Sequence, residues 1–165
     1  MLVYHPAFDI YNCAFRMLQL LSKMEESEIE LDKLRIWDFY LTFPNEARRI
    51  TFPRDLSELK KIFKNNPDNP YEDLIDPKRI AERMKTYQLS ALRYLASYGL
   101  IDSTLLLKSI IKRTDKLLPS ELQEKLAETN TEKENIIKLV KGFNFLALRG
   151  LKERTGLLEF RYDRK

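Results

Sequence analysis

Residues 76–102 read DPKRIAERMKTYQLSALRYLASYGLID. Asp76 followed by Pro77 is a helix start: a carboxylate to accept the first free N–H groups, then a proline where a missing N–H costs nothing. Ile80, Met84, Tyr87, Ala91, Leu95 and Tyr98 then recur every three or four residues. That spacing predicts one apolar face on a helix of about twenty residues. Gly99 supplies a left-handed stop. Leu100-Ile101 after it begins an extended piece.

On the N-terminal side lies NNPDNPY, residues 65–71, whose two prolines and four Asn or Asp residues are turn chemistry. The stretch 65–75 is the one candidate for a hinge in what otherwise reads as a single domain, 1–165. Before it, Leu56, Leu59, Ile62 and Phe63 predict a short helix, and RRITF (residues 48–52) an extended piece. Leu34, Trp37, Tyr40 and Leu41 predict a helix from about Leu31 to Thr42, ended by Pro44. Acidic residues from Glu25 to Asp32 precede it, where they favour the positive end of the helix. Ile10, Cys13, Met17, Leu20 and Met24 predict a first helix that starts near Pro6 and runs to about Lys23.

On the C-terminal side, residues 103–118 fit either a helix or a buried strand, with helix favoured at the start. Ser120 is placed to cap a helix to about Glu128. Thr131 with Glu134 forms a T-x-x-E capping box for another helix, whose apolar period reaches about Arg149. LLEFRY, residues 157–162, alternates like a final strand. The chain therefore reads as mainly α, a helical domain with a few short strands. Rossmann folds, sandwiches and barrels are excluded.

Composition narrows the function without naming it. The chain has 165 residues, 44% of them hydrophobic and 33% charged, which suits a folded domain and not a disordered one. Its 4 glycines all lie after residue 98, so no closely spaced glycine loop for phosphate is present. The net charge of +4 permits an acidic partner but does not demand one. A single cysteine and a single histidine exclude an intrachain disulfide, cysteine-cluster zinc sites and multi-histidine metal centres. No signal peptide or membrane-spanning run is read, so a cytoplasmic location is expected.

Pro67-Asp68 followed by Asp76-Pro77-Lys78 echoes a metal-nuclease pattern. Pro77 inside the triplet makes Asp76 a helix cap instead. Cys13 sits on an apolar stripe and reads as core, not as a nucleophile. His5 beside Pro6 reads as a capping or packing group, with a polar contact to another protein as the alternative. The acidic run lacks calcium-loop spacing. No standard catalytic motif is present, so neither enzyme activity nor a cofactor is expected.

A long helix, a glycine and then Leu-Ile-Asp, as in residues 89–102, resemble the recognition helix and second strand of winged-helix domains. Arg79, Arg83, Thr86, Ser90 and Arg93 fall on the outward side of that helix. Arg79, Arg83 and Arg93 are thus candidate phosphate contacts. A solvated face or a protein interface on the same side is the alternative.

Tyr4-His5-Pro6-Ala7-Phe8-Asp9, together with LRIWDFYLTFP (residues 34–44), resembles the small middle-component proteins of bacterial ABC-three-component systems. The Lamassu type of anti-phage and anti-plasmid defence is the closest group. The resemblance implies a non-catalytic adaptor between an SMC or Rad50-like ATPase and a nuclease effector, restraining the effector until the complex senses foreign DNA. Tyr4, His5, Asp9, Arg16, Arg35, Asp38 and Phe39 lie in or beside these segments and are candidate interface residues. Phe39 is equally placed to pack in the core. Arg35 and Asp38 are expected to be exposed in the free chain, because such charges are seldom buried unless paired. The runner-up function is a stand-alone winged-helix DNA-binding regulator.

Overall fold

The structure is a computed structural model that describes residues 5–64 and 73–163. A 3-10 turn, Pro6–Phe8, leads into α1 (Ile10–Lys23). Strand β1 (Ile29–Glu30) runs directly into α2 (Leu31–Thr42), and α3 (Ser57–Lys64) follows two further 3-10 turns. Then come α4 (Pro77–Ser97), α5 (Ser103–Leu107), β2 (Ile110–Ile111), α6 (Ser120–Ala127), α7 (Thr131–Gly142) and α8 (Leu148–Thr155). The fold is mainly helical, as the spacing of apolar residues predicts. Among the described residues no helix is long and apolar enough to cross a membrane.

Helix α2 is the axis of the domain. Nine of its twelve residues, Lys33 to Leu41, are buried. Helices α1 and α4 pack against it and against each other, and α7 and α8 pack against it as well. Trp37 meets Phe143, which follows α7, at a ring separation of 6.1 Å. Phe39 stacks edge-on against Tyr40 at 5.2 Å.

The sheet is small. Ile29 pairs with Ile111 and Glu30 with Ile110, antiparallel. Ile101 bridges to Arg113 on the other side of the same segment. The extended pieces therefore lie in the order 101, 110–113, 29–30. Ser109, in the left-handed region at φ 61°, turns the chain from α5 into β2.

Several local expectations are corrected. In the segment 48–52 no strand forms: Ile50 is extended, and Arg48 and Arg49 before it end a 3-10 turn, Pro44–Arg49. Its buried Glu46 accepts a hydrogen bond from Leu74 N at 3.0 Å, a partner the local sequence does not show. Helix α6 is flanked by Pro119, and Ser120 is its first residue. Asn130, not Thr131, caps α7, accepting from Lys133 N at 2.9 Å. Helix α7 stops at Gly142 because Phe143 turns into the core. A Cβ on Gly142 would lie 2.8 Å from Leu59 Cδ2, so α3 and α7 approach closely there. Residues 157–162 form no strand: Leu157 drops into the core, and Glu159 Oε1 accepts from the N–H groups of Phe160 and Arg161. Most of the expected hinge, residues 65–72, lies outside the described residues. Its end is tied down, with Arg48 paired to Asp73 and Arg49 Nη1 donating to Leu74 O at 3.2 Å.

Candidate partner interface

Arg35 and Asp38 of the second motif belong to a buried chain of hydrogen bonds that includes Arg16 of α1 and Gln88 of α4. Asp9 caps α1 by accepting from Asn12 N at 2.8 Å. Nearly two turns into α1, Arg16 donates from Nε to Asp38 Oδ1 at 2.6 Å and from Nη1 to Pro6 O at 2.9 Å. Asp38 also accepts from Gln88 Nε2 at 2.9 Å, and the Cys13 thiol points at the same carboxylate at 3.6 Å. Gln88 Oε1 accepts from Arg35 Nε at 2.9 Å, and Arg35 Nη1 donates to Asp32 at 2.9 Å. Asp32 meets Lys152 of α8 at 3.0 Å, and Lys152 meets Asp163 at 2.9 Å. This path joins the N-terminal turn, α1, α2, α4, α8 and the last described residue.

Charge and burial are matched along it. Burial lowers the Arg16 pKa, but the charge and hydrogen bonds of Asp38 outweigh this and raise it. Burial first and Asp38 second push the Cys13 thiol far above its usual range, so it is an inert core group, as its place on the apolar stripe suggests. His5 stacks on Phe43 at 5.3 Å and accepts from Ala7 N at 3.0 Å through Nδ1. Burial and then the Arg16 charge lower its pKa below 6.5.

The expected exposure of the motif charges is overturned. Asp38 is 0% exposed, Arg35 6% and Arg16 8%, and Phe39 is buried with them. The reason is that α2 is covered on every side, so its polar residues find partners inside the domain. These four side chains are occupied internally in the free chain. His5 and Asp9 are half-buried and act as helix caps. Tyr4 lies outside the described residues. Gln88 and Lys152 are not among the site residues the sequence suggests, and Asp32 enters that reading only as part of the acidic run. Gln88 carried a readable signal, because a polar residue stands between Met84 and Ala91 on the apolar stripe of α4; Lys152 carried none.

The outer face of α4 has the expected character. Asp76 caps the helix through Arg79 N at 3.1 Å, the cap role read from Pro77. Arg79, Arg83 and Arg93 are exposed. Arg83 lies 4.6 Å from the centre of the Phe8 ring. About three turns further along α4, Tyr94 packs against Tyr11, which is 70% exposed, and against Tyr98. Further along α1, a hollow of about 290 Å³ lies between the end of α1, the end of α6 and α7. Leu41, Leu126 and Ile137 line it, together with Lys23, Lys138 and Lys141. Among the described residues no cluster of three or more His, Cys, Asp or Glu side chains is arranged to hold a metal ion.

Comparison with known proteins gives one match. The family model "ABC-three component (ABC-3C) system Middle Component 5" matches residues 2–163. No curated protein and no solved structure matches. The family match extends from the N-terminal motifs, through the buried polar path they begin, to the Asp163 that ends it, and the chain belongs to the ABC-3C system Middle Component 5 family.

Proposed function

We propose that this middle component is a non-catalytic adaptor in a cytoplasmic bacterial defence complex of the Lamassu type. In this reading it bridges an SMC or Rad50-like ATPase and a nuclease effector, and restrains the effector until the ATPase engages foreign DNA. The observation that carries the reading is the family match over residues 2–163. The architecture is compatible with it. The motif charges are spent on holding five elements together, which leaves the outer faces of α1, α4 and α7 for partners. Co-expression with the neighbouring genes and pull-down tests the reading. Recovery of all three subunits in one particle supports it. A free monomer beside an assembled ATPase–effector pair overturns it.

A second reading, direct DNA contact through a winged-helix-like core, is favoured by the strand order. Helix, strand, two principal helices and two further extended segments follow one another, with the last segment between the other two. That order resembles the connectivity of a winged helix with α4 in the recognition position, although α3 is inserted between α2 and α4 and a five-residue helix stands where the wing would be. Replacing Arg79, Arg83 and Arg93 together by alanine should then weaken DNA binding. It should also flatten the salt dependence by roughly one unit of slope per lost phosphate contact. Unchanged affinity and slope would exclude this face.

A further inference from the structure

We propose that the hollow between α1, α6 and α7 receives an acidic, apolar-anchored segment of a partner subunit; this deepens the adaptor reading and rests on it. Three observations carry it. Lys23, Lys138 and Lys141 are exposed on its rim, and none forms an ion pair with a described carboxylate. Lys133, also on the rim, lies over the Phe15 ring at 5.9 Å and is likewise without a described carboxylate. Four ammonium groups around one opening, against Glu128 and Glu134, leave an excess of positive charge (4 − 2 = +2) that a negative partner complements.

The second observation is an orphaned acceptor. Gln19 lines the hollow and is 6% exposed, yet its Oε1 has no hydrogen-bond partner. A buried polar atom without a partner is costly, and a donor brought by a ligand removes that cost. The third is shape. A second hollow of about 440 Å³ shares Lys23, Leu126 and Ala127 with the first and adds Arg113 and Lys116 against Asp115. The two run past either side of the end of α6. Leu117, 86% exposed, stands at the second.

An extended groove with an apolar lining, a basic rim and an unpaired acceptor asks for one chemistry. The occupant needs an apolar side chain for Leu41, Leu126 and Ile137, carboxylates for the lysines, and an N–H for Gln19. A polypeptide segment carries all three, and such a pattern of apolar centre and charged rim is that of protein interfaces. Nucleic acid fits less well. The apolar part of the lining is aliphatic and offers no aromatic platform for bases.

The test uses the co-expressed complex with a carbodiimide, which joins an amine to a carboxylate only where the two touch. Mass spectrometry should find Lys138 or Lys141 joined to an Asp or Glu of a partner subunit. The triple variant K23E/K138E/K141E should fold as a free chain, with an unchanged circular dichroism spectrum, and should weaken assembly about tenfold or more. If that variant fails to fold, the glutamine triple K23Q/K138Q/K141Q takes its place, with a smaller loss of assembly expected. Undiminished assembly of the folded variant, with no such cross-link in the wild-type complex, overturns the inference while leaving the adaptor reading intact. A variant that assembles normally but no longer retains DNA also overturns it and assigns the groove to nucleic acid. Failure of the wild-type chain to assemble at all overturns the adaptor reading itself.

Discussion

Asp38 accepts from Arg16 and Gln88 and is fully buried. Removing one partner of a buried ion pair leaves the other charge without compensation, which typically costs about 3–5 kcal/mol. Asp38→Asn is therefore expected to destabilise the free chain by about 3 kcal/mol, read as a lower urea midpoint. An unchanged midpoint would restore a surface role for Asp38. The charge itself was visible in the sequence, but its burial was not. Helical spacing tells which residues share a face of α2; it does not tell that every face is covered. His5 gives a second test at this scale. Its lowered pKa means that the neutral ring is favoured in the fold, consistent with Nδ1 accepting from Ala7 N. With the folded value depressed, its contribution to stability is present above 6.5 and is lost as pH falls through the folded pKa. The single imidazole should titrate by NMR with a midpoint below 6.5. A midpoint at or above that value would mean that the cap does not form.

At the scale of elements, α7 separates two cap assignments that differ by one residue. Asn130 accepts from Lys133 N, so Asn130→Ala should cost about 1 kcal/mol and Thr131→Ala only a few tenths. Thermal unfolding of the two variants decides it, and the reverse order would reinstate the Thr131 capping box. Helices α2 and α4 were legible almost to the residue, because each has a strong apolar period and a chemical start or stop: Pro44 after α2, Asp76-Pro77 and Gly99 around α4. The end of α7 was not, because the apolar period continues through Leu146 while Phe143 leaves the helix for the core. Nor were the strands. Ile29 is held by Ile111, from the far side of four intervening helices, and no local pattern announces that pairing. Residues 157–162 alternate like a strand but pair with no described strand; the side chain of Glu159 takes up two of their N–H groups.

At the scale of the whole molecule, the path from Pro6 to Asp163 fastens both ends of the chain to α2. Lys152 is its C-terminal clasp, buried between Asp32 and Asp163. Burial lowers the Lys152 pKa, but the hydrogen bonds that its ammonium donates to the two carboxylates outweigh it and raise the value above 10.5. Burial raises the Asp32 pKa, but the hydrogen bonds of Lys152 and Arg35 and their charges outweigh it and bring it below 3.8. The signs then set a window. The Asp32 part of the stability is present above its unfolded pKa and is lost as pH falls through the lowered folded value. The Lys152 part is present below its unfolded pKa and is lost as pH rises through the raised folded value. Lys152→Met keeps most of the buried stem and removes the charge. Charge-assisted hydrogen bonds contribute about 1.5–3 kcal/mol. Asp32 is about a third exposed, which screens the pair, so the expected loss is about 1–2 kcal/mol. The difference between wild type and variant should be flat across neutral pH and shrink towards both extremes, measured by urea unfolding at a series of pH values. Hydrogen exchange in the variant should also rise first after Gly156, where α8 ends and the tail begins. A pH-independent difference would assign the loss to packing of the stem and not to the ion pairs.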